Sequence, residues 1–145
     1  MDKVEIYTDG SCLNNPGRGG TGIVLKYKDN FKFISEGYKL TTNNRMELQA
    51  VIKILIHLKE IDQRSENVEV FTDSKYVQQG ISQWILKWKQ DNWKRGNKEV
   101  LNVDLWKELD RLNQSGIEWK WVKAHNGNRW NEYVDDLARK CAETV

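Results

Sequence analysis

The sequence predicts an α/β fold: a mixed sheet flanked by helices. Three observations carry this expectation. The elements read from the chain run βββαβααβα, and helices interleaved with strands in this way pack onto a sheet. Residues 4–9, Val4-Glu5-Ile6-Tyr7-Thr8-Asp9, are echoed almost position by position by Val68-Glu69-Val70-Phe71-Thr72-Asp73. The helical stretch between the two runs is long enough for the crossover that parallel pairing requires.

Each element has a local reason. Lys3 to Asp9 is rich in β-branched and aromatic residues and stops at Gly10-Ser11, as a strand does. Residues 10–20 hold Gly10, Asn14, Asn15, Pro16, Gly17, Gly19 and Gly20 and read as a long turn. Thr21–Lys28 and Phe31–Leu40 are two further strands, joined by a tight turn at Asp29-Asn30. Residues 44–61 form a helix, because Leu48, Val51, Leu55 and Leu58 recur at spacings of three and four. Residues 68–73 are the fourth strand. Helix follows over 76–79 and 81–89, residues 90–102 are polar and basic, and 103–112 is helical again. Ile117, Trp119 and Trp121 alternate with Glu118 and Lys120, which marks a fifth strand over 117–122. The last helix covers 131–143, with Val134, Leu137, Ala138 and Cys141 on one side.

Composition narrows the class. The 145 residues are 39% hydrophobic and 30% charged, which excludes a disordered tail and a chain of membrane spans. No linker or like-charge block of five divides the chain, so one domain over residues 1–145 is expected. No secretory leader is recognisable, and two cysteines, Cys12 and Cys141, are too few for a disulfide framework. A reducing, cytoplasmic setting is expected. The net charge of +2 arises from 23 Lys and Arg against 21 Asp and Glu. Seven tryptophans and a single proline stand out against this plain balance.

The acids carry the chemical signal. If the echoed strands lie parallel, Asp9 and Asp73 emerge together at one carboxyl end, where α/β folds place their sites. Either alone fits a solvated strand-end aspartate. Together they are like charges that shift each other's pKa, and a cation would neutralise them. Glu47 shares a helical face with Val51, Ile54 and Leu58, where a carboxylate is costly unless paired. It also completes a capping box, Asn44-Arg45-Met46-Glu47, with Asn44 as the cap. Both readings stay open. Asp135 and Asp136 start the last helix, where the helix dipole favours acids, and Asp135 also pairs with Arg139 at i,i+4. Carboxylates without cysteine or paired histidine ligands suit Mg²⁺ or Mn²⁺ and disfavour Zn²⁺. Two such ions about 3.5–4 Å apart can clamp a phosphodiester in line with a water.

His57 lies mid-helix and reads as a partly exposed surface histidine. His125 sits in the polar loop Ala124-His125-Asn126-Gly127-Asn128 and is either inert or a proton shuttle. Residues 84–98 gather Trp84, Lys87, Trp88, Lys89, Trp93, Lys94, Arg95 and Lys98 against one acid, Asp91. This is either a helix packing its tryptophans and solvating its lysines, or a platform for nucleic acid.

Taken together, these motifs resemble ribonuclease H of type 1. The matching stretches run in order: Tyr7-Thr8-Asp9-Gly10-Ser11-Cys12, Asn15-Pro16-Gly17-Arg18-Gly19-Gly20, Thr41-Thr42-Asn43-Asn44-Arg45-Met46-Glu47-Leu48, Thr72-Asp73-Ser74, Asn102-Val103-Asp104-Leu105-Trp106, Trp119-Lys120-Trp121-Val122-Lys123 and Asn131-Glu132-Tyr133-Val134-Asp135. The resemblance covers about residues 3–143. It implies a five-stranded mixed sheet with helices on both faces. It implies that Asp9, Glu47, Asp73 and Asp135 bind two Mg²⁺ ions, with Mn²⁺ as a substitute, and that Asp135 rather than Asp136 is the fourth acid. His125, ten residues earlier, would aid protonation or product release. The implied activity is endonucleolytic cleavage of the RNA strand of an RNA–DNA hybrid by a monomer, leaving a 5′-phosphate and a 3′-hydroxyl. Cys12, Asn15, Asn43 and Asn44 would contact the hybrid. Thr42 and Asn102 would hold a DNA-strand phosphate, and Trp84–Lys98 would form a basic protrusion. Lys75 stands where the family often has glutamine, and Ala124 where a glycine often precedes the histidine. Two other readings remain: a non-catalytic hybrid- or duplex-binding module, and a nuclease domain released from a reverse transcriptase polyprotein.

Overall fold

The computed structural model describes residues 2–124 and 126–145. Five strands, β1 (Val4–Cys12), β2 (Gly17–Tyr27), β3 (Asn30–Thr41), β4 (Val68–Thr72) and β7 (Glu118–Trp121), form one sheet. Its order is β3-β2-β1-β4-β7. A separate ribbon pairs β5 (Lys94–Arg95) with β6 (Lys98–Glu99). The helices are α1 (Asn43–Glu60), α2 (Lys75–Gln79), α3 (Ile85–Gln90), α4 (Val103–Leu112) and α5 (Arg129–Thr144).

The sequence echo is a structural register. β1 and β4 are parallel neighbours, with Val4 opposite Val68 and Thr8 opposite Thr72. β7 adds a second parallel pair on β4, and β1–β2 and β2–β3 are antiparallel, so the sheet is mixed as expected. Side chains alternate between the two faces of a strand. Ile6, Ile23 and Val70 therefore face α1 and α4, packing with Leu48, Val51, Leu55, Trp106 and Leu109. Tyr7 and Val24 face the other way, onto Val134 of α5. The helices thus cover both faces.

Several element boundaries differ from expectation: β7 and α5 by one or two residues, the helix expected over 81–89 by the wide turn at its start, and three others for clear local reasons. β1 continues to Cys12 and β2 begins at Gly17, so the turn is confined to residues 13–16. The glycines read as turn formers are strand residues instead, and Gly20, with its neighbour Gly22, lets α5 approach. A Cβ on Gly20 would meet the backbone of Ala138 and Ala142, and one on Gly22 that of Val134. The β2–β3 turn is Lys28-Asp29, with Tyr27 opposite Asn30 and Lys28 at φ 54°. Finally, α1 starts at Asn43, and its cap is Thr42, whose Oγ1 accepts from the Arg45 amide at 3.2 Å. Asn44 is inside the helix and does not cap it.

Between α2 and α3 the chain opens into a single π turn, Gly80–Trp84. Such wide turns mark local insertions in a helix. Here Gly80 lies against the Trp106 ring with no room for a Cβ.

Candidate active site

Asp9 lies two-thirds of the way along β1, with only 3% of its surface exposed. Glu47 reaches it from α1, and Asp73 from the residue after β4. Gly10 explains the closeness. A Cβ there would collide with the Met46–Glu47 backbone, so only glycine lets the start of α1 lie on β1. The Gly10 amide then serves both acids, donating to Asp9 Oδ1 at 2.9 Å and to Glu47 Oε1 at 2.6 Å. The capping-box reading of Glu47 is therefore overturned. With the helix starting at Asn43, the Glu47 carboxylate is buried against Gly10 rather than turned back on its own N-terminus.

Carboxylate oxygens of Asp9, Glu47 and Asp73 all lie within 4.8 Å of one another. Asp135 stands in the second turn of α5, past the first turn where the dipole account applies. It faces Asp9 closely enough to add to that carboxyl's upward shift, while Arg139 Nη1 lies 3.8 Å from its Oδ2. Asp136 turns to Arg139 and Lys140 instead. The electrostatic consequence is strong. Burial, then the charges of Glu47 and Asp73, push the Asp9 carboxyl far above the usual carboxylate range. Burial, then the charge of Asp73, raises Glu47, against the opposing hydrogen bonds from Asp9 and Gly10. Like charges this close and this dry favour a bound cation or retained protons. The donor set is all oxygen, which fits a hard divalent ion. His125 lies outside the described residues.

The expected substrate contacts separate into groups. Asn15 and Asn43 are exposed and joined, the Asn43 amide donating to Asn15 Oδ1 at 3.0 Å. Asn44 is exposed beside them, and Cys12 is half-buried with Sγ 3.4 Å from the Thr41 carbonyl oxygen. Thr42 uses its Oγ1 as the acceptor of the cap, and its O–H remains a donor. Asn102, at φ 60°, accepts from Arg45 Nη1 at 3.3 Å and donates to the Tyr76 hydroxyl at 3.1 Å. Arg45 therefore bridges Thr42's helix to Asn102, and it also pairs with Asp104 at 2.7 Å. Sequence reasoning passed over Arg45, although it sits in the most distinctive motif of the chain.

The tryptophans of the basic segment form a packed chain. Trp84 and Trp88 rings are 5.7 Å apart, Trp88 and Trp106 5.3 Å, and Trp88 and Trp93 6.4 Å. Trp88 and Trp93 lean on the core. Lys87, Lys94 and Arg95 line a cleft of about 590 Å³ with Tyr76, Trp84 and Trp88, and Lys89 pairs with Asp110 at 3.4 Å. Packing and a cationic rim thus coexist. Lys75 is exposed, its Nζ 4.9 Å from the centre of the Trp121 ring.

The sequence signature of the RNase H family matches residues 1–143. The chain belongs to the ribonuclease H family. It is 54% identical over 143 residues to the ribonuclease H of Vibrio vulnificus strain YJ016, covering 97% of this chain and 90% of that one. It is 55% identical over 144 residues to the ribonuclease H of Citrobacter koseri, covering 98% and 90%. In structure it resembles LC9-RNase H1, a type 1 RNase H with the type 2 active-site motif, at a TM-score of 0.88 and 32% identity, over 99% of this chain and 73% of that one. LC11-RNase H1, solved in complex with an RNA/DNA hybrid, shares the fold at a TM-score of 0.71 and 24% identity, with 97% of each chain covered. The enzyme class follows from these relatives: this is an endonuclease of the ribonuclease H type. Metal dependence is typical of that family, and the three-acid cluster supplies a place for the metal.

Proposed function

We propose that this chain hydrolyses the RNA strand of RNA–DNA hybrids by two-metal-ion catalysis, leaving a 5′-phosphate and a 3′-hydroxyl. One observation carries the reading: the convergence of Asp9, Glu47 and Asp73 where the parallel β1–β4 pairing ends, Asp9 lying inside the longer β1 rather than at its end. A binding module has no use for clustered buried carboxylates facing phosphates, which weighs against the non-catalytic alternative. Asp9, Glu47, Asp73 and Asp135 would hold Mg²⁺, with Mn²⁺ as a substitute. When bound, two such ions supply a polarised phosphodiester and an activated water.

The protein's own contribution is preorganisation. The Gly10 amide orients Asp9 and Glu47 toward one point, so their charges need no rearrangement when substrate arrives. Asn15, Asn43, Asn44 and Cys12 would touch the hybrid beside the acids. Thr42 and Asn102, braced by Arg45, would receive a DNA-strand phosphate, Lys75 would meet the RNA side, and Trp84, Lys87, Trp88, Lys89, Lys94 and Arg95 would form the protruding wall. Contact with the 2′-hydroxyl is what selects RNA over DNA. His125 would move a proton at the leaving oxygen or speed product release. The hybrid seen with LC11-RNase H1 supports the substrate class. The free thiols of Cys12 and Cys141 fit a cytoplasmic enzyme, and no helix of the described residues is long and apolar enough to cross a membrane.

The test is cleavage of one labelled sequence presented as hybrid, double-stranded RNA and double-stranded DNA, with and without Mg²⁺. Only the hybrid should be cut, and only with metal. Asp9→Asn and Asp73→Asn should each lower the rate by about 100-fold or more, since several kcal/mol of transition-state stabilisation depend on the metal. Full activity in either variant would sink the mechanism.

A further inference from the structure

β7 ends on Trp121, a tryptophan left 40% exposed. Its indole Nε1 donates to the backbone carbonyl oxygen of Asp73 at 3.0 Å. The position is telling. The β4–β7 ladder stops at the pair Thr72–Trp121, and the Val122 amide takes the Thr72 carbonyl at 2.9 Å. The next carbonyl, that of Asp73, lies beyond the backbone ladder, and a side chain takes it instead. The other half of the same peptide group is also held: the Ser74 amide donates to Thr72 Oγ1 at 3.0 Å. Ser74 in turn caps α2, its Oγ accepting from the Val77 amide at 3.2 Å.

The peptide that follows Asp73 is thus gripped through its carbonyl by Trp121 and through its N–H by Thr72. Fixing that plane fixes the Asp73 backbone, and with it the direction of the bond that carries the carboxylate. Lys75 closes the arrangement, its ammonium over the ring that makes the hydrogen bond. Part of the ring is buried, but it is the indole N–H that reaches the Asp73 peptide.

We infer that Trp121 is a positioning residue for Asp73, aiming its carboxylate at the Asp9–Glu47 pair from a different strand. This rests on the reading of Asp73 as a metal-holding acid. Trp121 acts through the Asp73 backbone. Partners that orient a ligand typically change metal affinity by about 10–100-fold when lost.

The test uses Trp121→Phe, which keeps a ring under Lys75 and removes the N–H. Mg²⁺ binding to the nucleic-acid-free protein, followed by calorimetry, should weaken about tenfold. Hybrid cleavage should need correspondingly more Mg²⁺, with KM for the hybrid unchanged once metal saturates. Trp119→Phe is the control: it deletes an indole N–H on the same strand, one that donates to Asn113 Oδ1 at 3.3 Å. It should leave Mg²⁺ affinity as in the native chain. Native-like Mg²⁺ affinity in Trp121→Phe, or an equal loss in Trp119→Phe, would overturn the inference. A measurement on the unaltered chain guards against misfolded variants. In a Mg²⁺ titration followed by ¹⁵N NMR, the Trp121 indole and Asp73 amide signals should move with one midpoint, and an unmoved indole would overturn the inference. Mg²⁺ binding that survives Asp73→Asn would instead overturn the metal reading beneath it.

Discussion

At the residue scale, the acids illustrate both what a sequence discloses and what it withholds. Asp9 and Asp73 were legible because the echo between residues 4–9 and 68–73 is a direct imprint of parallel register. Glu47 was ambiguous because one pattern serves two geometries, and a start of α1 one residue earlier decides between them. Arg45 and Trp121 were invisible as site residues, since their roles lie in contacts with Asn102 and with a backbone carbonyl far along the chain. The buried acids also oppose folding. Asp9 and Glu47 have folded-state pKa values raised above those of the unfolded chain. The folded state therefore holds more protons, and stability falls as pH rises from the ordinary carboxylate range through the raised values. Without metal, the melting temperature should drop between pH 5 and pH 8. Mg²⁺ should restore it, most strongly at the higher pH. Asp9→Asn should flatten this dependence and raise the metal-free melting temperature at pH 8 by ~3 °C, corresponding to about 1 kcal/mol. A steeper pH dependence in Asp9→Asn, seen by calorimetric scanning, would contradict this account.

At the element scale, helices were easier to place than strand ends. The α4 boundaries match the predicted 103–112, because a strong apolar stripe and a full set of buried residues coincide there. The ends of β1 and β2 were missed because glycine carries two meanings. A glycine can bend a chain, or it can let another element come close, and sequence does not separate the two. Gly20 belongs to the second kind, with the Ala138 carbonyl oxygen and Ala142 amide lying where a Cβ would go. Gly20→Ala should therefore push α5 away from β2 and cost about 1–3 kcal/mol, as overpacking does. Urea denaturation measures this. Because α5 carries Asp135, the same substitution should lower activity more than a stability loss alone predicts. An unchanged denaturation midpoint would mean that the helix yields freely.

For the whole molecule, charge distribution governs function more than net charge does. A net charge of +2 conceals an acidic cluster at the sheet edge and a basic segment carried on α3 and the β5–β6 ribbon. The basic segment is tied to α2 and α4 through the interior: Tyr76 accepts from the Trp106 indole at 3.0 Å and from Asn102, and Trp88 packs against Trp106. The basic segment is thus seated on the core by its tryptophans while Lys87, Lys94 and Arg95 stay exposed at its cleft. Such a division predicts separable effects. Replacing Lys87, Lys89, Lys94 and Arg95 by Ala should weaken hybrid binding without altering Mg²⁺ affinity, because none of the four adjoins the acids. Each cation that meets a phosphate releases counterions, so the log–log salt slope should shrink by up to about 0.9 per lost contact on duplex nucleic acid. Lys89 already pairs with Asp110, so its share of that change should be the smallest. Binding measured by fluorescence anisotropy across a salt series checks this. A slope equal to that of the unaltered chain would make the segment a structural appendage, its lysines merely solvating a tryptophan-packed helix.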